Sequence, residues 1–156
     1  MGMDRKRRAR VYADPFLHAG FAALVLSPTV RRSGWGPLRA GVAAGLIIDL
    51  DHIVAARSVR VEKTTGMPTR PRPHNLFLAT AASAAAWRAA GRKYGWGVFA
   101  GLWSHLLFDA TDSSGAPLLW PVAERDRVPL AVFIAALAAL MAASESESRR
   151  WKDATT

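Results

Sequence analysis

The 156-residue chain has no cysteine. That absence excludes a disulfide framework, a thiolate zinc site and a thiol nucleophile, so any bound metal must be held by histidine and carboxylate. Histidine is itself scarce, with 4 in the chain, and the acidic residues are outnumbered 12 to 21 by Lys and Arg. The formal charge of +9 suits anionic partners. Phospholipid headgroups come ahead of nucleic acid, because the basic residues flank apolar runs and lack interleaved aromatics. Several catalytic signatures are missing too: there is no G-x-S-x-G elbow, no P-loop, no H-E-x-x-H and no G-x-G-x-x-G. Ser104 stands beside His105, but adjacent residues point in different directions on a helix, so they do not make a nucleophile and its base. There is no internal repeat, and one domain is expected at this length.

What the chain does have is apolar residues, 51% of the total, segregated from Lys and Arg, which crowd into ends and connections. The pattern predicts a basic N-terminal segment over 1–14, a helical domain over 15–143 and a polar, flexible tail over 144–156. The first apolar run, Phe16–Val30, is interrupted by His18 and closed by Arg31 and Arg32 with no small-x-small site, so it reads as an uncleaved helix. Lys6 stands where a myristoylation signal needs Ser or Thr. A second helix is predicted over Pro37–Ala56, long enough to cross a ~30 Å hydrocarbon core. Its Gly41, Ala44 and Gly45 would admit a close neighbour. Residues 57–73, rich in Pro and basic side chains, read as a loop of functional or mobile character. A third helix is predicted from His74 to Ala90, a fourth from about residue 95 to Thr111 or Ser114, and a fifth over Val128–Ala143, which carries no ionisable side chain.

The expected fold is all-α, a bundle of four to five mostly membrane-embedded helices, multi-pass in the inner membrane. A slight excess of Lys and Arg on the N-terminal side places the N-terminus in the cytoplasm.

The ionisable groups inside these oily helices carry the chemistry. His105, Asp109 and Asp112 fall at i, i+4 and i+7 and form one polar stripe. Asp49 and His52, three apart, share a face, whereas Asp51 is about 100 degrees away and reaches the same cavity only near a helix end. Singly, each group has a plainer reading: His18 as a satisfied core residue, His105 with Asp109 as an ion pair, Asp49 to His52 as a polar helix end, His74 as a cap. Jointly they favour a divalent cation, since unpaired carboxylates in low dielectric are costly and most arginines lie in loops.

The order of these groups resembles a known family. An early His18, then Asp49-x-Asp51-His52, a basic loop ending in His74, Gly101-x-x-Ser104-His105-Leu106-Leu107-x-Asp109-x-Thr111, and Gly115-x-x-Leu118-Leu119-Trp120-Pro121 together resemble the YdjM-type family of membrane-bound metal-dependent hydrolases. The family's middle motif is close to H-R-G-x-T-H-S; the stretch from Thr69 to Asn75 keeps Arg70 and His74 but lacks the first His and the Ser. The family is distantly similar to all-helical zinc phospholipases C and single-strand nucleases. The resemblance implies one or two ions, zinc or else manganese, on His18, Asp51, His52, His74, His105 and Asp109. Asp49 or Asp112 would act as general base, and Arg70 or Arg72 would clamp an anionic, phosphate-containing substrate such as a phospholipid. The rivals are a non-catalytic membrane protein with a structural metal, and a soluble or peripheral helical nuclease.

Overall fold

The computed structural model describes residues 5–64, 70–112 and 115–153. Thr69, in the altered motif, and Ser113 and Ser114 lie outside the described residues, as do the ends of the chain. Seven helical segments follow one another: α1 (Arg5–Ser33), α2 (Gly36–Ile47), α3 (Leu50–Ala56), α4 (Val61–Thr64), α5 (Leu76–Ala90), α6 (Arg92–Asp109) and α7 (Leu130–Asp153). Among the described residues the only extended pairing is an isolated bridge between Ala116 and Asp126. The chain is all-α.

Several boundaries differ from expectation, and the stretch read as a loop over 57–73 contains the short helix α4. α1 begins at Arg5, well before Phe16, because the Arg, Lys and Ala upstream are strong helix formers. The helix expected over Pro37–Ala56 is broken at Ile48 and Asp49, where the bonds Asp51 N–H to Ile48 O (3.2 Å) and His52 N–H to Asp49 O (3.1 Å) tighten the turn. An unbroken helix would point Asp49 and Asp51 nearly opposite ways; the break lets both carboxylates turn to histidines. α5 starts at Leu76, two residues beyond His74. The Asn75 side chain accepts the Leu78 N–H at 2.8 Å and makes the cap, which frees His74 from that role. The stretch from Ser144, expected to be flexible, continues α7 to Asp153. It is held there by Trp96 Nε1 donating to Ser144 Oγ (3.0 Å), by Arg92 on Glu147 (2.8 Å) and by Arg32 on Glu145.

α6 is the central helix, packed by α2 on one side, α5 on another, and α1 and α7 on the rest. Its contact with α2 is backbone to backbone: a Cβ on Gly101 would fall inside the carbonyl group of Gly41. Two small cores result, one of Ala79, Leu102, Leu106, Ala110 and Leu118, the other of Val25, Leu26, Ala100, Phe133 and Leu137. Many large apolar side chains face outward, Phe16 at 78% and Val122 at 84% exposed among them. That pattern marks a surface to be covered by something apolar. Among the described residues one helical stretch, Leu130–Trp151, is long and apolar enough to cross a bilayer.

Candidate metal centre

The last turn of α6 sets the geometry. His105 and Asp109, four residues apart, point the same way, with His105 Nε2 3.4 Å from Asp109 Oδ2. Because α2 lies hard against α6, its C-terminal end delivers Asp49, whose Oδ1 is 3.4 Å from His105 Nε2, 3.6 Å from His74 Nε2 and 3.7 Å from His52 Nδ1. α1 supplies His18, stacked on His105 with ring centroids 3.7 Å apart and with Nε2 3.4 Å from Asp109 Oδ1. His74 enters from the loop before α5, its Nε2 3.5 Å from Asp109 Oδ2.

Asp51 does something different. Its Oδ2 is 2.6 Å from His74 Nδ1, so it stands behind that ring, while its Oδ1, 3.1 Å from His52 Nδ1, makes no hydrogen bond there. A carboxylate behind His74 fixes the proton on Nδ1 and leaves the His74 Nε2 lone pair aimed inward. His74, outside the helices, is held above its ordinary pKa: burial pushes it down, but the nearby carboxylates of Asp49, Asp51 and Asp109 outweigh that.

The inward-facing separations of 3.4 to 3.7 Å exceed those of hydrogen bonds, about 2.7 to 3.2 Å. They are close to the edge of a coordination tetrahedron, roughly 3.3 Å for metal–ligand bonds of about 2.0 to 2.1 Å. His18, His74, His105 and Asp109 are each at most 1% exposed. Both nitrogens of His18 and of His105, and Nε2 of His74, have no hydrogen-bond partner. Such orphaned groups cost about 1 to 3 kcal/mol each, a deficit that a cation would remove. The donor set, imidazole nitrogen and carboxylate oxygen only, suits zinc or another borderline divalent ion. Three overlapping sets of donors lie within 4.8 Å of one another: His18, Asp49 and His105; Asp49, His52 and His74; and His74, His105 and Asp109.

Of the residues singled out from sequence, His18, Asp49, His52, His74, His105 and Asp109 therefore converge, with Asp51 behind them. Arg70 reaches the same place, its Nη2 2.8 Å from Asp109 Oδ1 and its Nη1 3.3 Å from His52 Nε2. Asp112, beyond the end of α6, belongs to none of the three donor sets. Arg72 is exposed and contributes its backbone carbonyl to the Asn75 side chain. One participant was missed: Asp14, whose Oδ2 is 3.7 Å from His18 Nε2. Its D-x-x-x-H spacing on α1 is the reverse of His105 and Asp109, and was there to be read.

A sequence model of the YdjM inner membrane protein family matches residues 14–154. The chain belongs to that family. The match begins at Asp14 and takes in every donor of the YdjM centre described above. Membership places the protein in a membrane, in keeping with the outward apolar side chains. No curated protein and no solved structure matches the chain.

Proposed function

We propose that this YdjM protein is a membrane-bound, metal-dependent hydrolase that cleaves a phosphoester, with a phospholipid as the substrate class. The carrying observation is the set of buried imidazole nitrogens without hydrogen-bond partners, gathered with carboxylate oxygens at ligand-to-ligand spacing. His18, Asp49, His52, His74, His105 and Asp109 hold the ion, zinc ahead of manganese. A bound divalent ion supplies a water acidified toward neutrality and polarises a phosphoryl oxygen. The chain does the rest. Asp51 keeps the Nδ1 proton in place on His74. Asp49, drawn into the donor set, leaves Asp112 as the carboxylate for proton transfer. Arg70, already seated on an acidic oxygen, turns to clamp the phosphate of the substrate.

A lipid fits the surroundings. Phe16, Leu17, Ile47, Leu50, Phe77 and Leu78, each within four residues of a donor along the chain, are all exposed. The segments that carry the donors therefore also present apolar surface of the kind acyl chains cover. A multi-pass arrangement with a cytoplasmic N-terminal side is part of this proposal. Elemental analysis of purified protein should find at least one equivalent of zinc or manganese, reduced in His105→Ala, and a panel of phospholipids and phosphodiesters should be hydrolysed only with metal present. A stable, metal-free wild type would end this reading.

One observation favours a second reading, a non-catalytic protein with a structural metal: Arg70 sits on Asp109 and His52 and fills the approach to the donors. In that case chelation lowers the melting temperature while the same substrate panel stays blank.

A further inference from the structure

We infer that the centre holds two divalent ions sharing Asp49, one gripped by His18 and His105 and the other by His52 and His74. The inference rests on the metal reading above and deepens it.

The argument is one of lone pairs. A neutral imidazole keeps its proton on one nitrogen and offers the other to a single ion, whereas a carboxylate has two oxygens and can serve two ions. Of the three overlapping donor sets, the one made of His74, His105 and Asp109 draws both its imidazoles from the other two sets. It cannot be filled when they are. The other two, His18 with His105 and His52 with His74, share no imidazole and have only Asp49 in common. Asp49 Oδ1 is placed for sharing, 3.4 Å from His105 Nε2 on one side and 3.6 and 3.7 Å from His74 Nε2 and His52 Nδ1 on the other. Asp109, 3.4 Å from both His18 and His105, completes the first set.

Charge is consistent with that count. Asp14, Asp49, Asp51 and Asp109 all approach the histidines within 3.7 Å. Two divalent ions match those four carboxylates and release the Arg70 guanidinium for an anionic ligand, whereas one ion needs Arg70 kept on Asp109 and leaves Asp14 to solvent. Two ions are also the arrangement that stabilises both the attacking and the leaving oxygen of an in-line displacement at phosphorus.

The test is metal counting on the full chain in detergent, stripped with chelator and titrated with zinc, alongside cobalt substitution read by electron paramagnetic resonance. Two equivalents are expected in the wild type, one in His18→Ala and one in His52→Ala, and the di-cobalt wild type should show spin coupling that each variant loses. The wild-type stoichiometry and spectrum need no variant to fold. One equivalent in the wild type, with an uncoupled cobalt signal, overturns the inference alone and assigns the second place to Arg70. Zero equivalents overturns the metal reading itself.

Discussion

Gly101→Ala is a sharp test of how the fold makes the site, because Gly101 has no side chain and supplies no ligand atom. A Cβ there would meet the backbone of Gly41, 2.6 Å from its carbonyl carbon and 2.7 Å from its Cα. Carbon atoms rest about 3.5 to 4.0 Å apart, so α2 must withdraw by about 1 Å, and backbone cannot step aside as a flexible side chain can. Overpacking of this kind costs about 1 to 3 kcal/mol. The displaced helix carries Asp49 with it, and coordination tolerates errors of only about 0.2 Å. Zinc affinity should therefore fall along with stability. Gly20→Ala is the matched control, since a Cβ there meets nothing within 4 Å; inside α1 it should be neutral or stabilise by up to about 1 kcal/mol. Thermal melts in detergent and zinc competition against a chromophoric chelator would measure both. Wild-type melting and wild-type affinity for Gly101→Ala would refute the claim that the α2–α6 contact positions the site.

Three further outcomes are expected. Asn75→Ala removes the cap on α5 and should cost about 0.5 to 2 kcal/mol, with a loss of zinc affinity because His74 is the preceding residue; unchanged affinity would show that the cap does not position His74. Asp51→Asn should lower zinc affinity about 10 to 100-fold with the stoichiometry kept, whereas loss of a whole equivalent would make Asp51 a direct ligand. His74 is held above its ordinary pKa, so zinc must displace its proton and affinity should fall as pH drops through that raised value. Metal-free protein should run the other way, since the His74 contribution is full below about pH 6.5 and lost as pH rises through the folded-state value. Chelator competition and melts at several pH values separate the two trends.

The sequence by itself determined everything that depends on helical period. His105 and Asp109 had to share a face of α6, Asp49 and His52 a face of one turn, and Gly41 with Gly45 a surface open to a neighbour; these follow from local geometry, and so does the all-α class. Tertiary structure decided which faces meet. That His18 stacks on His105, that Asp49 lies between imidazoles from three other places, and that Asp51 backs His74 depend on the approach of α2 to α6 and on the break at Ile48 and Asp49. No local propensity signals that break, because Ile48 and Asp49 are neither glycine nor proline. The helical tail after Ser144 was hidden for the same reason: its polar residues looked solvated until Trp96, Arg32 and Arg92 were found beside them. Spacing along a chain specifies neighbours within a helix, while neighbours between helices are specified by how closely the backbones can approach.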